Sequence, residues 1–249
     1  MAEPDQGGGI AVGPRGAMGG TKRRICGFRK EKAWLKERAG AVIAGVDEAG
    51  RGPLAGPVVA GAVVLPIEKC PKALRNGLDD SKKLSAEKRE ELYELLLGCE
   101  GAVIGVGRAE VSEIDSINIL QATYRAMGRA IEMLNLGIDI ALVDGNGKPP
   151  LPAHIHVDPI IGGDGLSLSI AAASIIAKVT RDRIMCALHE EFPGYGWITN
   201  MGYGTREHYA AMTSLGVTPH HRRSFAPVRA VLAGEQIQPE LFSDIAAAE

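Results

Sequence analysis

Short apolar runs alternate with amphipathic stretches along this chain, a pattern typical of a domain that mixes strands and helices. Apolar runs bounded by Gly, Pro and Asp predict strands at residues 41–47, 57–65, 102–107, 138–143 and 154–157. Apolar positions spaced three and four residues apart predict helices at residues 28–38, 86–97, 116–136, 166–191 and 205–215. Because strands and helices alternate, we predict a single α/β domain.

Two of the helices have more specific signals. Ser85 is a suitable N-cap for the second helix, whose apolar face carries Leu92, Leu95 and Leu96 before Gly98 ends it. In the long helix, residues 170–177 are apolar or small almost all round. We therefore expect that part of the long helix to be buried.

Composition excludes several classes of protein. The formal net charge over 249 residues is −2, so contacts with a polyanion must come from local basic clusters. The four cysteines form no CxxC pair, which argues against a zinc site or a disulfide framework. No charge-free apolar stretch is long enough to span a membrane and no secretion signal is recognisable, so we expect a cytoplasmic protein.

Residues 1–24 are rich in Gly and lack apolar periodicity, so we predict a disordered tail. The last twenty or so residues are predicted to form a helix end and a loose tail.

Acidic residues stand where apolar segments end. Asp47 and Glu48 follow the first apolar run, and Asp144 and Asp164 each lie beside Gly. Adjacent ionised carboxylates repel each other, and Mg²⁺ or Mn²⁺ would relieve that repulsion. Two such ions about 4 Å apart can activate water and neutralise the leaving oxygen of a phosphodiester. The alternative interpretation is that these acids are ordinary turn residues.

The geometry of Asp47 and Glu48 poses one difficulty. Successive side chains of a strand point to opposite faces, so both acids can share a site only if the chain leaves strand geometry there. Gly50 would permit such a departure, and Gly50-Arg51-Gly52 would also let the backbone approach a ligand closely. A tight hairpin connection, with Arg51 as a counter-ion of the acids, is the alternative.

Other residues are candidates for binding a substrate. Tyr203 lies between two glycines, where its ring could stack on a sugar or base, or instead anchor the loop in the core. The basic run at residues 220–223 could contact phosphates or be a solvated surface. Lys178 and Arg181 lie on the mostly buried long helix and need acidic or phosphate partners, for which Asp182 is the internal alternative.

Ordered segments of the chain resemble ribonuclease HII. They are Ala44–Pro53 (AGVDEAGRGP), Asp80–Leu84 (DSKKL), Val143–Asn146 (VDGN), Ala172–Asp182 (AASIIAKVTRD), Gly202–Thr205 (GYGT) and His221–Phe225 (HRRSF). They run in the family's order over about residues 43–228, and the ordered set is much more specific than any one segment.

The resemblance implies a ribonuclease H-like fold, a mixed central β-sheet flanked by helices with a C-terminal helical segment. It implies that Asp47, Glu48, Asp144 and Asp164 form the catalytic, metal-binding site for Mn²⁺ or Mg²⁺. Asp182 is the other candidate for the fourth carboxylate; Asp164 is preferred because it stands just before the long helix. The catalytic domain would then span residues 25–228, between the tail at 1–24 and a helix end and tail at 229–249.

For function, the resemblance implies an endoribonuclease that cleaves the RNA strand of RNA–DNA hybrids and cuts at ribonucleotides embedded in duplex DNA. The products would carry 3′-OH and 5′-phosphate ends. Gly50, Arg51 and Gly52 would read the ribose 2′-OH, which distinguishes RNA from DNA, and Tyr203 would stack on the neighbouring sugar. Met201 stands where many relatives have a lysine. We expect a monomer with nucleic acid as its partner and no membrane association.

Two other functions are compatible with the sequence. A non-catalytic hybrid-binding module would use the basic clusters, although acids repel phosphates unless metals intervene. A nuclease of related fold, such as a DNA resolvase or a transposase-like enzyme, would ignore the 2′-OH. An all-DNA duplex therefore distinguishes the latter from a ribonuclease.

Overall fold

The computed structural model describes residues 26–235, and the tail segments predicted before and after this range lie outside the described residues. The strands are β1 Ile43–Ala49, β2 Val58–Val64, β3 Val103–Ala109, β4 Ile140–Asp144 and β5 His156–Ile160. The helices are α1 Arg29–Glu37, α2 Lys72–Gly77, α3 Ala86–Leu97, α4 Val111–Ile117, α5 Ile119–Met133, α6 Leu168–Glu191, α7 Trp197–Asn200, α8 Arg206–Leu215 and α9 Ala226–Leu232. Short 3₁₀ turns occupy Ser81–Lys83, Gly163–Gly165 and Pro193–Tyr195.

The strands form one mixed sheet in the order β3-β2-β1-β4-β5. The pairs β1–β2 and β2–β3 are antiparallel, whereas β1–β4 and β4–β5 are parallel. Pairing between β1 and β4 ends at Val46 opposite Val143, so residues 47–49 of β1 are paired with β2 alone. The predicted mixed sheet is confirmed, and β1 ends with one side open.

Helices cover both faces of the sheet. Ala60 and Ala62 of β2 belong to a core layer shared with α5, and Val63 of the same strand belongs to a layer shared with α3 and α6. Residues 170–177 of α6 are all buried, as predicted. The apolar core therefore lies in two layers, with the sheet between α5 and α6.

Glycines in the sheet allow α6 to approach it closely. Gly45 and Asp47 share a face of β1, and Gly61 lies opposite Asp47 on β2. A Cβ atom on Gly45 would lie 2.1 Å from the backbone carbon of Ser169, and one on Gly61 would lie 2.4 Å from the carbonyl oxygen of Ala173. The helix backbone therefore rests on the sheet around Asp47, which is buried beneath α6.

The helices differ from the prediction in three respects. The predicted helix at 116–136 corresponds to α5 and to only the last two residues of α4, because Asn118, with a φ of 67°, separates the two helices and its side chain caps α5. Ser85 caps α3 as predicted, but Leu95 is 37% exposed and does not share the buried face of Leu92 and Leu96. No periodic signal marks α2, because its 6 residues are too few to show a helical period.

The C-terminal segment forms a further small core around the loop that follows β1. Residues 193–204, between the helices predicted at 166–191 and 205–215, contain a 3₁₀ turn and α7. Trp197, Met212 and Val228 pack with Leu54 of the β1–β2 loop. Among the helices within residues 26–235, none is long and apolar enough to cross a membrane.

The variant Gly45→Ala tests the close approach of α6. Its Cβ atom has no space against the α6 backbone, so the free energy of unfolding should fall by about 3 kcal/mol. Gly128→Ala is the matched control, because Gly128 lies within α5 and an added Cβ atom meets nothing within 4 Å. The control should gain up to about 1 kcal/mol. Urea denaturation measures both, and equal stabilities of the two variants would contradict the packing described.

Candidate active site

A cavity of about 620 Å³ opens where β1 and β4 end. Its walls come from the end of β1 and the loop after it, the end of β4, two 3₁₀ turns, α6, and the loop after α7. The lining residues are Asp47, Glu48, Ala49, Gly50, Arg51, Ser81, Lys82, Asp144, Asp164, Ser174, Lys178, Arg181 and Tyr203. The structure thus brings the four predicted acids together with Gly50, Arg51, Tyr203, Lys178 and Arg181, whereas Gly52 and the basic run at residues 220–223 do not line the cavity.

Strand β1 continues through Ala49, so the expected departure from strand geometry occurs only at Gly50, where φ is 93°. Asp47 and Glu48 nevertheless border the same cavity. Residues 47–49 have no β4 partner, and this leaves an open side at the end of the strand. Because the end of β1 is paired with a neighbouring strand on one side only, both acids reach one site although β1 has no break there.

Backbone N–H groups hold three of the carboxylates. The N–H of Glu48 donates to Oδ1 of Asp47 at 2.7 Å. The N–H of Gly163 donates to Oδ1 of Asp144 at 2.6 Å, and Asp164 accepts at 2.8 Å from the N–H of the next residue. These bonds fix one oxygen of each carboxylate relative to the ends of β1 and β4 and the turn before α6.

Burial and mutual repulsion perturb these acids. Burial beneath α6, followed by the charges of Glu48 and Asp144, raises the pKa of Asp47 well above its ordinary value. Burial, followed by the charges of Asp144 and Asp80, raises the pKa of Asp164 to about 6. Because ionising one carboxylate disfavours ionisation of its neighbours, a cation between them would stabilise the charged forms.

All four acids place carboxylate oxygens along one cavity. Such oxygens are the ligands that a hard divalent cation prefers, so these residues fit a site for Mg²⁺ or Mn²⁺. Within residues 26–235, no three His, Cys, Asp or Glu side chains are already gathered as a metal-binding group. The site therefore consists of converging acids rather than a preassembled set of ligands.

Asp182 does not line this cavity, whereas Asp164 does. One oxygen of Asp182 lies 2.7 Å from Nζ of Lys178, so the internal partner considered for Lys178 is present. Lys178 itself lines the cavity, and burial lowers the pKa of its ammonium group. Lys178 thus lines the cavity while it is paired with Asp182.

Two buried guanidinium groups hold the loop after β1. Arg181 and Arg222 are 1% and 0% exposed. Their acceptors are backbone carbonyls, those of Ala55, Pro57 and Met201 for Arg181, and those of Gly50, Arg51 and Gly56 for Arg222. At Arg222 and its fully buried neighbour His221, the basic run is thus neither a solvated surface nor a phosphate contact. The bonds of Arg181 support a positioning role for this residue.

Tyr203 is half-buried and lines the cavity from the loop after α7. The preceding residues Met201 and Gly202 have φ angles of 48° and 85°. The carbonyl of Gly202 accepts from the N–H of Leu54 at 2.8 Å, which ties this loop to the one after β1. The Met201 side chain packs against the C-terminal core.

Two serines belong to the site although sequence reasoning did not assign them. Ser174 hydrogen-bonds the carboxylate of Asp47, and its Oγ lies 2.8 Å from Oγ of Ser81. They connect α6 and the turn at residues 81–83 to the buried acid. Two signals could have found them: Ser174 lies one helical turn before Lys178 on the same face, and Ser81 lies within the DSKKL segment.

Comparisons with known proteins agree with this geometry. The family model described as ribonuclease HII matches residues 44–228. The chain belongs to the ribonuclease HII family. Ribonuclease HII of Rhodospirillum rubrum is 59% identical over 199 residues, which cover 80% of this chain and 90% of the relative. Ribonuclease HII of Gluconobacter oxydans is 53% identical over 201 residues, which cover 81% of this chain and 96% of the relative.

Solved structures confirm the ribonuclease H-like fold. Ribonuclease H2 from Pyrococcus horikoshii OT3 superposes with a TM-score of 0.63 at 29% identity, covering 80% of this chain and 98% of that one. The RNase HII in the PCNA complex from Archaeoglobus fulgidus superposes with a TM-score of 0.59 at 28% identity. The match covers 73% of this chain and 93% of that one. Members of the ribonuclease HII family are metal-dependent endoribonucleases that act on RNA–DNA hybrids.

The variant Asp164→Asn tests the electrostatic cost of ionising Asp164, which arises from burial and from the neighbouring acids. The pKa of Asp164 is raised from 3.8 to about 6, so the folded state binds this proton more tightly than the unfolded chain. Protonation of Asp164 therefore stabilises the folded state. This contribution to the free energy of unfolding is complete below about pH 4 and is lost as the pH rises through about 6. In metal-free solution at about pH 7.5, the variant should therefore be more stable than wild type by roughly 1–3 kcal/mol.

Chemical denaturation at a series of pH values measures this difference. The advantage of Asp164→Asn should vanish as the pH falls well below 3.8, because only there is the wild-type carboxyl protonated in both the folded and the unfolded state. A difference in stability that did not change with pH would show that ionisation of Asp164 is not its cause.

Proposed function

We propose that this protein hydrolyses the RNA strand of RNA–DNA hybrids and cuts at single ribonucleotides embedded in duplex DNA, in the cavity at the ends of β1 and β4. The observation that carries the proposal is the convergence of Asp47, Glu48, Asp144 and Asp164 on one cavity, beside the loop that holds Arg51. Membership of the ribonuclease HII family supports the class of reaction, and the cavity supports its location.

In this proposal the four acids hold Mn²⁺ or Mg²⁺. Asp47 and Asp144 are the primary ligands, because each directly follows the last residue through which the neighbouring strands β1 and β4 pair. Glu48 and Asp164 complete the site and help to position water. The bound metal would make water nucleophilic and neutralise the leaving oxygen.

The chain's own groups keep the acids oriented for this task. The hydroxyl of Ser174 is hydrogen-bonded with the carboxylate of Asp47, and the N–H of Gly163 donates to that of Asp144. Such neighbouring hydrogen bonds limit the rotation of ligating carboxylates and so preorganise them. Lys178, which lines the same cavity, supplies a positive charge for a phosphate of the substrate.

Recognition of the ribonucleotide would involve the backbone of Gly50, Arg51 and Gly52. The carbonyls of Gly50 and Arg51 are already occupied by Arg222, so the loop presents a fixed surface to a sugar. Tyr203 lines the same cavity, where its ring can stack on the adjacent sugar. Arg181 serves by positioning this loop. The expected monomeric state, cytoplasmic location and domain division stay predictions.

Cleavage of a DNA duplex that contains one ribonucleotide, with Mn²⁺ or Mg²⁺ present, tests the proposal directly. The wild-type protein should cut this duplex and leave 3′-OH and 5′-phosphate ends, and it should leave the all-DNA twin intact. Gel analysis with mass spectrometry of the products gives both results. Cleavage of the all-DNA duplex would instead indicate a DNA nuclease, and binding without cleavage would indicate a hybrid-binding module.

The variant Asp144→Asn should lower the cleavage rate by roughly 10³-fold or more, because a neutral amide cannot stabilise the metal as a carboxylate does. Asp139→Asn is the matched control at the opposite end of β4, where Asp139 accepts from the N–H of Val42 and pairs with Arg38. The control should keep the metal-dependent rate. Unchanged cleavage by Asp144→Asn would place the active site elsewhere.

A further inference from the structure

A buried pair of histidines connects the two segments that face the substrate. His208 on α8 and His221 are both 0% exposed, and their Nε2 atoms lie 3.1 Å apart. Nδ1 of His208 lies 2.8 Å from the carbonyl oxygen of Tyr203. On the other side, His221 directly precedes Arg222, whose guanidinium holds the loop after β1. Neither histidine lines the cavity.

Neighbouring donors determine which nitrogen of His208 carries the proton. The indole N–H of Trp197 is a donor only, and it lies 3.0 Å from Nε2 of His208. Nε2 must therefore accept, and the proton of the neutral ring is on Nδ1. This N–H donates to the carbonyl of Tyr203, which also accepts from the N–H of Thr205 at 2.9 Å.

The tautomer of His221 follows from the same argument. Since Nε2 of His208 carries no proton, Nε2–H of His221 is the donor between the two rings, and it shares the single lone pair of that nitrogen with the indole N–H of Trp197. Its Nδ1 then accepts from the backbone N–H of Thr218 at 2.9 Å. Burial lowers the pKa of both rings, that of His221 to about 3, so both are neutral near pH 7. The pair forms a fixed chain of hydrogen bonds.

We propose that His208 and His221 are positioning residues that set the place of Tyr203 relative to the loop Gly50-Arg51-Gly52. This inference rests on the proposed function, in which that loop reads the 2′-OH and Tyr203 stacks on the sugar. Both contacts must reach one nucleotide, and a small displacement of either binding group weakens recognition. The histidines thus act through Tyr203 without touching the substrate.

Two substitutions of His208 separate positioning from simple filling of the core. In His208→Asn, the side-chain amide replaces the Nδ1 donor to the carbonyl of Tyr203 and loses the contact at Nε2. In His208→Gln, the longer side-chain amide replaces the Nε2 group, and the Nδ1 donor to the carbonyl of Tyr203 is lost. If His208 only filled space in the core, glutamine would be tolerated better than asparagine at this position, because the volume of glutamine is closer to that of histidine.

Steady-state kinetics on the one-ribonucleotide duplex should show the opposite order. His208→Gln should raise KM roughly three- to tenfold, the effect of losing one hydrogen bond, while His208→Asn stays within about twofold of wild type. In a Tyr203→Ala background, His208→Gln should add less than about a twofold effect, because the ring that it positions is absent.

Several results would overturn the proposal. Equal KM values for the asparagine and glutamine variants would do so, as would a full additional effect of His208→Gln on Tyr203→Ala. If the variants fail to fold, ¹⁵N NMR of the wild-type imidazoles decides: Nδ1–H is expected for His208, and an Nε2–H tautomer there overturns the proposal. A wild-type protein that did not cleave the duplex would instead contradict the proposed function.

Discussion

The close approach of α6 to the sheet is the constraint on which the site depends. Gly45 and Gly61 leave no room for a side chain, so the helix backbone rests on β1 and β2 on either side of Asp47. This contact buries Asp47, brings Ser174 to its carboxylate and raises its pKa. The stability of this packing and the electrostatic cost of the acid thus arise from the same contact. A buried acid that is costly without a counter-charge is well suited to bind a cation.

A second tertiary contact joins the loop after β1 to the C-terminal segment, and the proposed recognition of the ribonucleotide would depend on it. Arg181 and Arg222 satisfy carbonyl groups of that loop and are almost fully buried. A guanidinium suits this role, because it presents several donors in a fixed plane and stays charged. The loop is therefore preorganised by residues far from it in sequence. His208 extends the same arrangement to Tyr203.

Much of the fold and part of the candidate site could be predicted from the local sequence pattern. Ser85 caps its helix as predicted and Asp144 ends β4 as predicted, whereas Asp47 and Glu48 lie within β1, which continues to Ala49. Local pattern failed where the partner of a residue is distant. The basic run around Arg222 has the composition of a solvated surface, yet its acceptors are carbonyls of the loop after β1. Leu95 fits the helical period but meets solvent.

The sequence by itself determined the order of the five strands and of the longer helices, the acids near the ends of β1 and β4, and the family. These properties depend on periodicity and on short ordered motifs, which local physics and spacing reveal. Only the tertiary structure decided that Ser81 meets Ser174, that β1 keeps strand geometry past Glu48, and that the acids converge without a preassembled metal-binding group. The reason is physical: burial and hydrogen-bond partners depend on elements packed together from distant parts of the chain.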